Sequence, residues 1–278
     1  MVIAVLLGVA IASGALVACA VLRWPTVDPA SPRATSSAVR HELRTSPRFR
    51  RFIVGRVDPG AATGLLLSVA VSIVMVGAVA VGILFWMMRE NTGIARADLR
   101  LARWGASSAT ELSTDILKLV TDAGGTVVVI VVTAIVAAVE YRRLPTHALV
   151  PFLVLVVAGQ NVITNLVKLV VERARPDIDP LAGFAGSSFP SGHSAAAAAT
   201  YAACALVVGR ARGSSVQAYL AGLAAAIAVA VATSRVLLGV HWFTDVLAGL
   251  ALGYAWFAAC AIAFGGRLLH FGAPVELA

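Results

Sequence analysis

Three polar patches interrupt an otherwise apolar stretch of this sequence: KLVVERARP at 168–176, PSGH at 190–193 and SRVLLGVHWFTD at 234–245. Lys168 and Arg175 are seven residues apart, about two helical turns, so a helix that reached Arg175 would show both on one face. Pro176 then ends that helix or starts the loop after it. An ionisable group such as Lys168, deep in an apolar run, is costly to bury and is usually functional. Arg173 reads instead as a side chain reaching out to headgroups. Pro190, Ser191, Gly192 and His193 stand where a long apolar run begins. A helix start there offers unpaired amides to an anion, and Gly192 lets the backbone come close to a ligand. In the third patch, His241 and Asp245 are four apart and on a helix would face the same way. A carboxylate on one imidazole nitrogen sets the tautomer and leaves the other nitrogen as nucleophile or base. Each patch alone also has a plainer reading: snorkelling cations, an N-cap at the head of a span, an interfacial histidine. Together, Lys168, Arg175 and Arg235 supply three cations, Ser191 and Gly192 a helix start, and His193 and His241 two titratable rings. That set suits a phosphate. Cations and amides bind non-bridging oxygens during in-line phosphoryl transfer, and one histidine can attack phosphorus while the other protonates the leaving oxygen.

These residues need elements that hold them at one depth. The 278-residue chain is 59% hydrophobic and 13% charged, with a mean hydropathy of +0.89. Soluble domains average about 25% charged residues, so this composition excludes a water-facing surface over most of the chain. Apolar runs at 1–22, 63–88, 124–140, 147–171, 193–209, 216–234 and 243–264 approach the roughly 20 residues that cross a bilayer as a helix. Helices satisfy their own backbone in lipid, and the runs are too continuous for barrel strands, which alternate. The expected fold is therefore all-α, a polytopic membrane bundle with a six-helix core at 63–264 and an extra N-terminal transmembrane helix at 1–22. Residues 89–122 are polar, with Ile94, Leu99, Leu101, Trp104, Leu112, Ile116, Leu117 and Leu119 at helical spacing. They are expected on the extracytoplasmic surface or capping the bundle.

The net charge of +8 is unevenly placed. Residues 23–62 hold eight arginines against Asp28, Glu42 and Asp58. Nucleic acid is one reading of such a run; beside a membrane span it sets orientation instead, and no nucleic-acid partner is expected. Tyr141-Arg142-Arg143, Arg210-Ala211-Arg212 and Gly266-Arg267 fall on the same side of a six-span core. The positive-inside rule puts that side in the cytoplasm. It makes 23–62 a basic cytoplasmic linker and 265–278 a cytoplasmic tail, and it turns 172–192, His193 and His241 to the outer face of the cell membrane. The first span then places the N-terminus outside as well. LVAC at 16–19 resembles a lipoprotein processing box, but the segment lacks a positive start. Cleavage at Cys19 would also invert this arrangement, so an uncleaved span is expected. Cys19, Cys204 and Cys260 lie in apolar runs, where a cysteine behaves as a small hydrophobe, and no disulfide is expected. No Cys and His cluster has zinc spacing. Gly249 and Gly253 form a GxxxG pair that permits close helix packing, inside the bundle in preference to a dimer contact.

In this order and spacing the three patches resemble the signature of the type 2 phosphatidic acid phosphatase (PAP2) superfamily, K-x6-RP, PSGH and SR-x5-H-x3-D, with no departure at a signature position. The signature spans 168–245. The six-span layout of 63–264 resembles the membrane branch of that family, and the first 62 residues lie outside the resemblance. It implies that His241 is the nucleophile, forming a phosphohistidine, that Asp245 orients it, and that His193 protonates the leaving group. Lys168, Arg175 and Arg235 would hold the phosphate oxygens with Ser191 and the Gly192 amide, and no metal or other cofactor would be needed. The implied activity is that of an integral membrane lipid phosphatase. Its substrate would be polyprenyl pyrophosphate, phosphatidic acid or phosphatidylglycerol phosphate, met at the outer face among membrane lipids. A lipid phosphotransferase is a close variant. The superfamily also contains vanadium haloperoxidases, against which the many spans argue. The complete residue set argues against a non-catalytic transporter or scaffold. Substrate choice, oligomeric state and the role of 1–62 carry no legible motif.

Overall fold

The computed structural model describes residues 1–23, 62–178, 180–183 and 186–269, without the side chains of 62–69 and 265–269. The linker expected at 23–62 lies outside the described residues except at its two ends, and of the tail expected at 265–278 only 265–269 are described, as the end of the last helix. Nine α-helices are described: α1 (Val2–Arg23), α2 (Ala62–Arg89), α3 (Asp98–Ser107), α4 (Glu111–Asp122), α5 (Thr126–Arg143), α6 (Leu149–Val171), α7 (Gly192–Gly209), α8 (Ser214–Leu237) and α9 (Phe243–Leu269). A 3-10 turn at Gly93–Ala97 joins α2 to α3. There is no strand among the described residues, as the all-α expectation requires.

Six helices are long and apolar enough to cross a membrane: α1, α2 over Ala70–Arg89, α6, α7, α8, and α9 over Phe243–Phe264. The pair α4 and α5, bent by 50°, passes the same test as one broken unit, which brings the number to as many as seven. The second half of the polar segment 89–122 is α4, one arm of that bent pair. Thr110 caps α4 through Ser113 in a capping box, and Leu117 is completely buried against Val2, Leu6, Leu237 and Leu238.

Helix α7 runs through the middle, with α5, α6, α8 and α9 packed around it. Its alanines explain why. Ala195, Ala197, Ala199 and Ala203 are completely buried, and such short side chains let neighbouring backbones close in. The GxxxG pair is internal and completes this packing. A Cβ on Gly253 would lie 2.2 Å from the Ala195 carbonyl oxygen, and one on Gly249 2.5 Å from that of Ser191. The extra helix α1 lies along α8 through a second seam, where a Cβ on Gly14 would lie 2.7 Å from the Gly222 oxygen. The three cysteines are free.

The two ends of α7 are both polar. At its C-terminal end, Glu140 is 1% exposed and receives Arg143 at 3.4 Å and Arg212 at 3.3 Å. Arg210 donates to the carbonyls of Val207 and Leu144 at 3.2 and 3.3 Å. These are the arginine-rich connectors expected on one side of the bundle. The other end gathers the end of α6, the starts of α7 and α9, the end of α8, and α3.

Candidate active site

Helix α6 ends at Val171, where the apolar run 147–171 ends, and does not reach Arg175. Glu172 adopts a left-handed conformation at φ 45°, with its amide bonded to the Lys168 carbonyl at 3.2 Å. Arg175 therefore does not share a helix face with Lys168, as two-turn spacing would have it. The chain beyond Glu172 carries no helix, and Pro176 biases Arg175 toward an extended backbone. Residues two apart in extended chain point the same way. Arg173 and Arg175 both reach toward His241 and Asp245, while the carbonyl of Ala174 accepts the Trp242 indole N–H at 3.0 Å.

His241 is placed by the turn after α8. Gly239 takes φ 69° there, a conformation glycine tolerates without strain. The Arg235 carbonyl accepts the amides of both Val240 and His241 at 3.3 Å. His241 precedes α9, so the shared helix face expected for His241 and Asp245 is replaced by a loop residue meeting a first-turn residue. Asp245 Oδ2 accepts the Trp242 amide at 2.9 Å, the reach-back of a capping box. The same oxygen accepts the Ser188 hydroxyl and lies 3.4 Å from His241 Nδ1. With Nδ1 protonated toward the carboxylate, Nε2 keeps its lone pair. Arg175 Nη1 sits 3.2 Å from Nε2 and also donates to the Val240 carbonyl at 2.7 Å. Burial pushes the His241 imidazole down to about 4. Arg175 and Arg235 push the same way, and the hydrogen bond and charge of Asp245 oppose them. The ring is thus neutral and nucleophilic at neutral pH. Burial also lowers Arg175 from its ordinary value, against the pull of Asp245.

The remaining expected residues converge on the same spot. His193 lies within electrostatic reach of Arg235, His241, Lys168 and Arg175, and Lys168 within reach of Arg175, Arg235 and Asp245. Arg235 is 5% exposed and donates to Thr121 Oγ1 at 3.3 Å, but its buried Nε has no partner. Gly192 is bordered by open space, since a Cβ there would meet only a Thr164 methyl at 3.9 Å. Ser191 is placed differently from a simple ligand. Its completely buried hydroxyl caps α7, accepting from the Ser194 amide at 3.4 Å and the Ser194 hydroxyl at 2.9 Å. Its amide donates to the Asp245 carbonyl at 3.0 Å.

Four further residues belong to the site. Ser188 joins His241 and Asp245. Arg173, expected to snorkel, turns inward instead. Its side chain is 14% exposed, pairs with Asp245, and reaches Asp98 and Thr244 at 2.8 Å. The cause is the turn that follows the end of α6 at Val171, which aims Arg173 at two buried carboxylates and the Trp242 ring, 5.4 Å from its centroid. Asp98 opens α3 and accepts the Thr244 amide at 2.9 Å and hydroxyl at 2.7 Å. Among the described residues no group of three or more His, Cys, Asp or Glu side chains could hold a metal ion.

Residues 149–268 match the family model described as the PAP2 superfamily, a stretch that takes in all eight residues singled out from sequence. Over 107 residues the chain is 41% identical to phosphatidylglycerophosphatase B of Bacillus subtilis, covering 38% of this chain and 53% of that protein. Over 117 residues it is 36% identical to a lipid A 1-phosphatase of Rhizobium johnstonii, covering 38% and 44%. The chain thus spans about half the length of the curated relatives it matches. A crystal structure of a transmembrane PAP2-type phosphatidylglycerolphosphate phosphatase from Bacillus subtilis is similar at a TM-score of 0.60 and 27% identity, covering 68% of this chain and 92% of that one. The apolar helices and this likeness make the chain a multi-pass membrane protein. The signature residues drawn together at one end of α7 thus lie within a stretch, residues 149–268, that is similar to the PAP2 superfamily.

Proposed function

We propose that the protein is a metal-independent membrane lipid phosphatase that works through a phosphohistidine on His241. The observation that carries this reading is the His241 ring itself, tied to Asp245 at Nδ1 with Nε2 turned to Arg175. In the first step the Nε2 lone pair forms a bond to phosphorus as the bond to the leaving oxygen breaks, and His193 gives that oxygen a proton. The negative charge of an arriving phosphate favours the protonated state of His193. In the second step a water, losing its proton to His193, attacks phosphorus and breaks the P–N bond, releasing inorganic phosphate. Lys168, Arg175 and Arg235 stabilise the equatorial oxygens, and the orphaned Arg235 Nε supplies a donor with no other use.

The names of the relatives, a phosphatidylglycerophosphatase and a lipid A 1-phosphatase, point to a phosphorylated lipid as substrate. The arginine-rich connectors lie at the far end of α7, which supports a site facing the outside of the cell membrane by the positive-inside rule. The test is phosphate release by detergent-purified protein with chelator present. The panel is phosphatidylglycerol phosphate, phosphatidic acid, polyprenyl pyrophosphate and lipid A 1-phosphate. At least one lipid should be hydrolysed, and His241→Ala should lower that rate by about 10⁴-fold or more. Wild-type protein inert toward every lipid, or a His241→Ala variant of undiminished activity, would overturn the reading. Vanadate-dependent bromide oxidation would mark a haloperoxidase instead.

A further inference from the structure

We infer that Arg173, clamped by Asp98, is a positioning residue that fixes the Asp245 carboxylate and through it the reactive orientation of His241. The inference rests on the phosphatase reading for its kinetic consequences and on geometry alone for its structural ones.

Asp245 has two oxygens with separate duties. Oδ2 takes the Trp242 amide and the Ser188 hydroxyl and faces His241 Nδ1. Oδ1 takes Arg173 Nη1. Anchoring Oδ1 stops the carboxylate from pivoting, so Oδ2 must stay on the imidazole. Arg173 is held in turn. Its Nη2 donates to Asp98 Oδ2 at 2.8 Å, and its backbone is pinned on both sides by Ser187 Oγ at 3.1 Å and the Ser188 amide at 2.8 Å. Asp98 also accepts the first-turn amide and hydroxyl of Thr244, so it fixes the start of the helix that carries Asp245. One chain of bonds thus runs from α3 through Arg173 to the attacking ring.

Arg173 is not placed to bind the phosphate. It meets the dyad on the Nδ1 side of His241, whereas phosphorus must arrive at Nε2, where Arg175 stands. Both of its terminal nitrogens already serve carboxylates. Its charge nevertheless bears on the ring. The charged groups facing His241 are Asp245 from α9, Arg175 and Arg173 from the segment after α6, Arg235 from α8, Lys168 from α6 and His193 from α7. Asp98 of α3 stands behind Arg173. Without Arg173, Asp245 would be a less screened anion and would favour the protonated imidazole.

The experiment combines kinetics with a spectroscopic titration. Protein labelled with ¹⁵N-histidine in detergent is titrated by NMR, with the His241 signal assigned against His241→Gln. Arg173→Gln should raise the pH at which His241 titrates. It should lower kcat by about 10- to 100-fold, the usual loss when a group orienting a functional histidine is removed. KM and inhibition by inorganic phosphate should stay within about threefold of wild type. Arg173→Lys keeps the charge and should restore the titration. Asp98→Asn removes the anion that shares Arg173, so it should lower kcat by less than Arg173→Gln and move the titration down instead of up, and it stands in should Arg173→Gln not fold. An unmoved His241 titration in Arg173→Gln overturns the inference. So does a loss confined to KM and phosphate inhibition, which would make Arg173 a phosphate ligand. If wild-type protein releases no phosphate from any lipid, the phosphatase reading falls, and the histidine titration still decides the positioning claim.

Discussion

The two ends of α7, about 27 Å apart along 18 residues, are both built from arginines and a buried carboxylate, and they are wired differently. At the Gly209 end Glu140 answers two guanidinium groups, and Arg210 spends its donors on carbonyls. At the Gly192 end Asp245 is taken by Arg173, Ser188 and Trp242. Arg235 keeps a buried Nε with no partner. An unmet buried donor costs about 1–3 kcal/mol. A fold tolerates that where a ligand completes the bonding, and stability is commonly given up at such sites. Arginine content alone therefore does not distinguish a binding end from a stabilising end; the distribution of carboxylates does.

The sharpest way to break this contrast is Arg235→Met. On the phosphatase reading, removing Arg235 should lower kcat by about 10²- to 10³-fold, while relief of its unpartnered buried Nε should hold or raise Tm. Phosphate-release kinetics beside a thermal melt would check both, and a clear fall in Tm would contradict the account. Next in size is the pH response. His241 is held neutral by burial, so the acid limb of kcat/KM that belongs to it should lie near 4 and not near 6.5. The sign for stability follows. The folded value is depressed, so the unfolded chain binds the extra proton between pH 6.5 and 4, and stability is lost as pH falls through that window. Melts of wild type and His241→Gln should run parallel above pH 6.5 and converge below it; a pH-independent difference would count against it. The smallest functional effect is expected from Glu140→Gln. It should lower stability by about 2 kcal/mol and leave kcat within about twofold of wild type. A large loss of kcat there would mean that the two ends are coupled.

How much was legible in the sequence depended on distance along the chain. The spans follow from run length, since an apolar run reports the thickness of lipid, and 63–88 and 216–234 become Ala62–Arg89 and Ser214–Leu237. The signature residues stand out because each patch is contiguous and polar in apolar surroundings. Arg173 is misleading because the end of the apolar run at 171 does not say which way the chain turns beyond it. Glu172 takes the left-handed cap without being glycine or asparagine, the residues that usually advertise one. Asp98 acts across 75 residues on Arg173 and 146 on Thr244, and an isolated acid at a helix start carries no mark of such partners. The packing of α4 into the bundle is hidden by its amphipathic pattern. Gly124 in the turn after it approaches α7 closely, with a Cβ there 2.7 Å from the His193 carbonyl oxygen.

The seam between α7 and α9 has a consequence for turnover. Backbone meets backbone at Gly249 and Gly253, and the Ser191 amide is bonded to the Asp245 carbonyl. His193, at the start of α7, and His241, just before α9, are therefore tied to one tightly packed helix pair. On the phosphatase reading, the motions that admit a lipid and release phosphate would then fall to the parts of the molecule that the seam does not bind. Lid and release motions often limit kcat where chemistry is fast. On that reading, substitutions in the helices around the seam would change turnover more than the bond-breaking step itself.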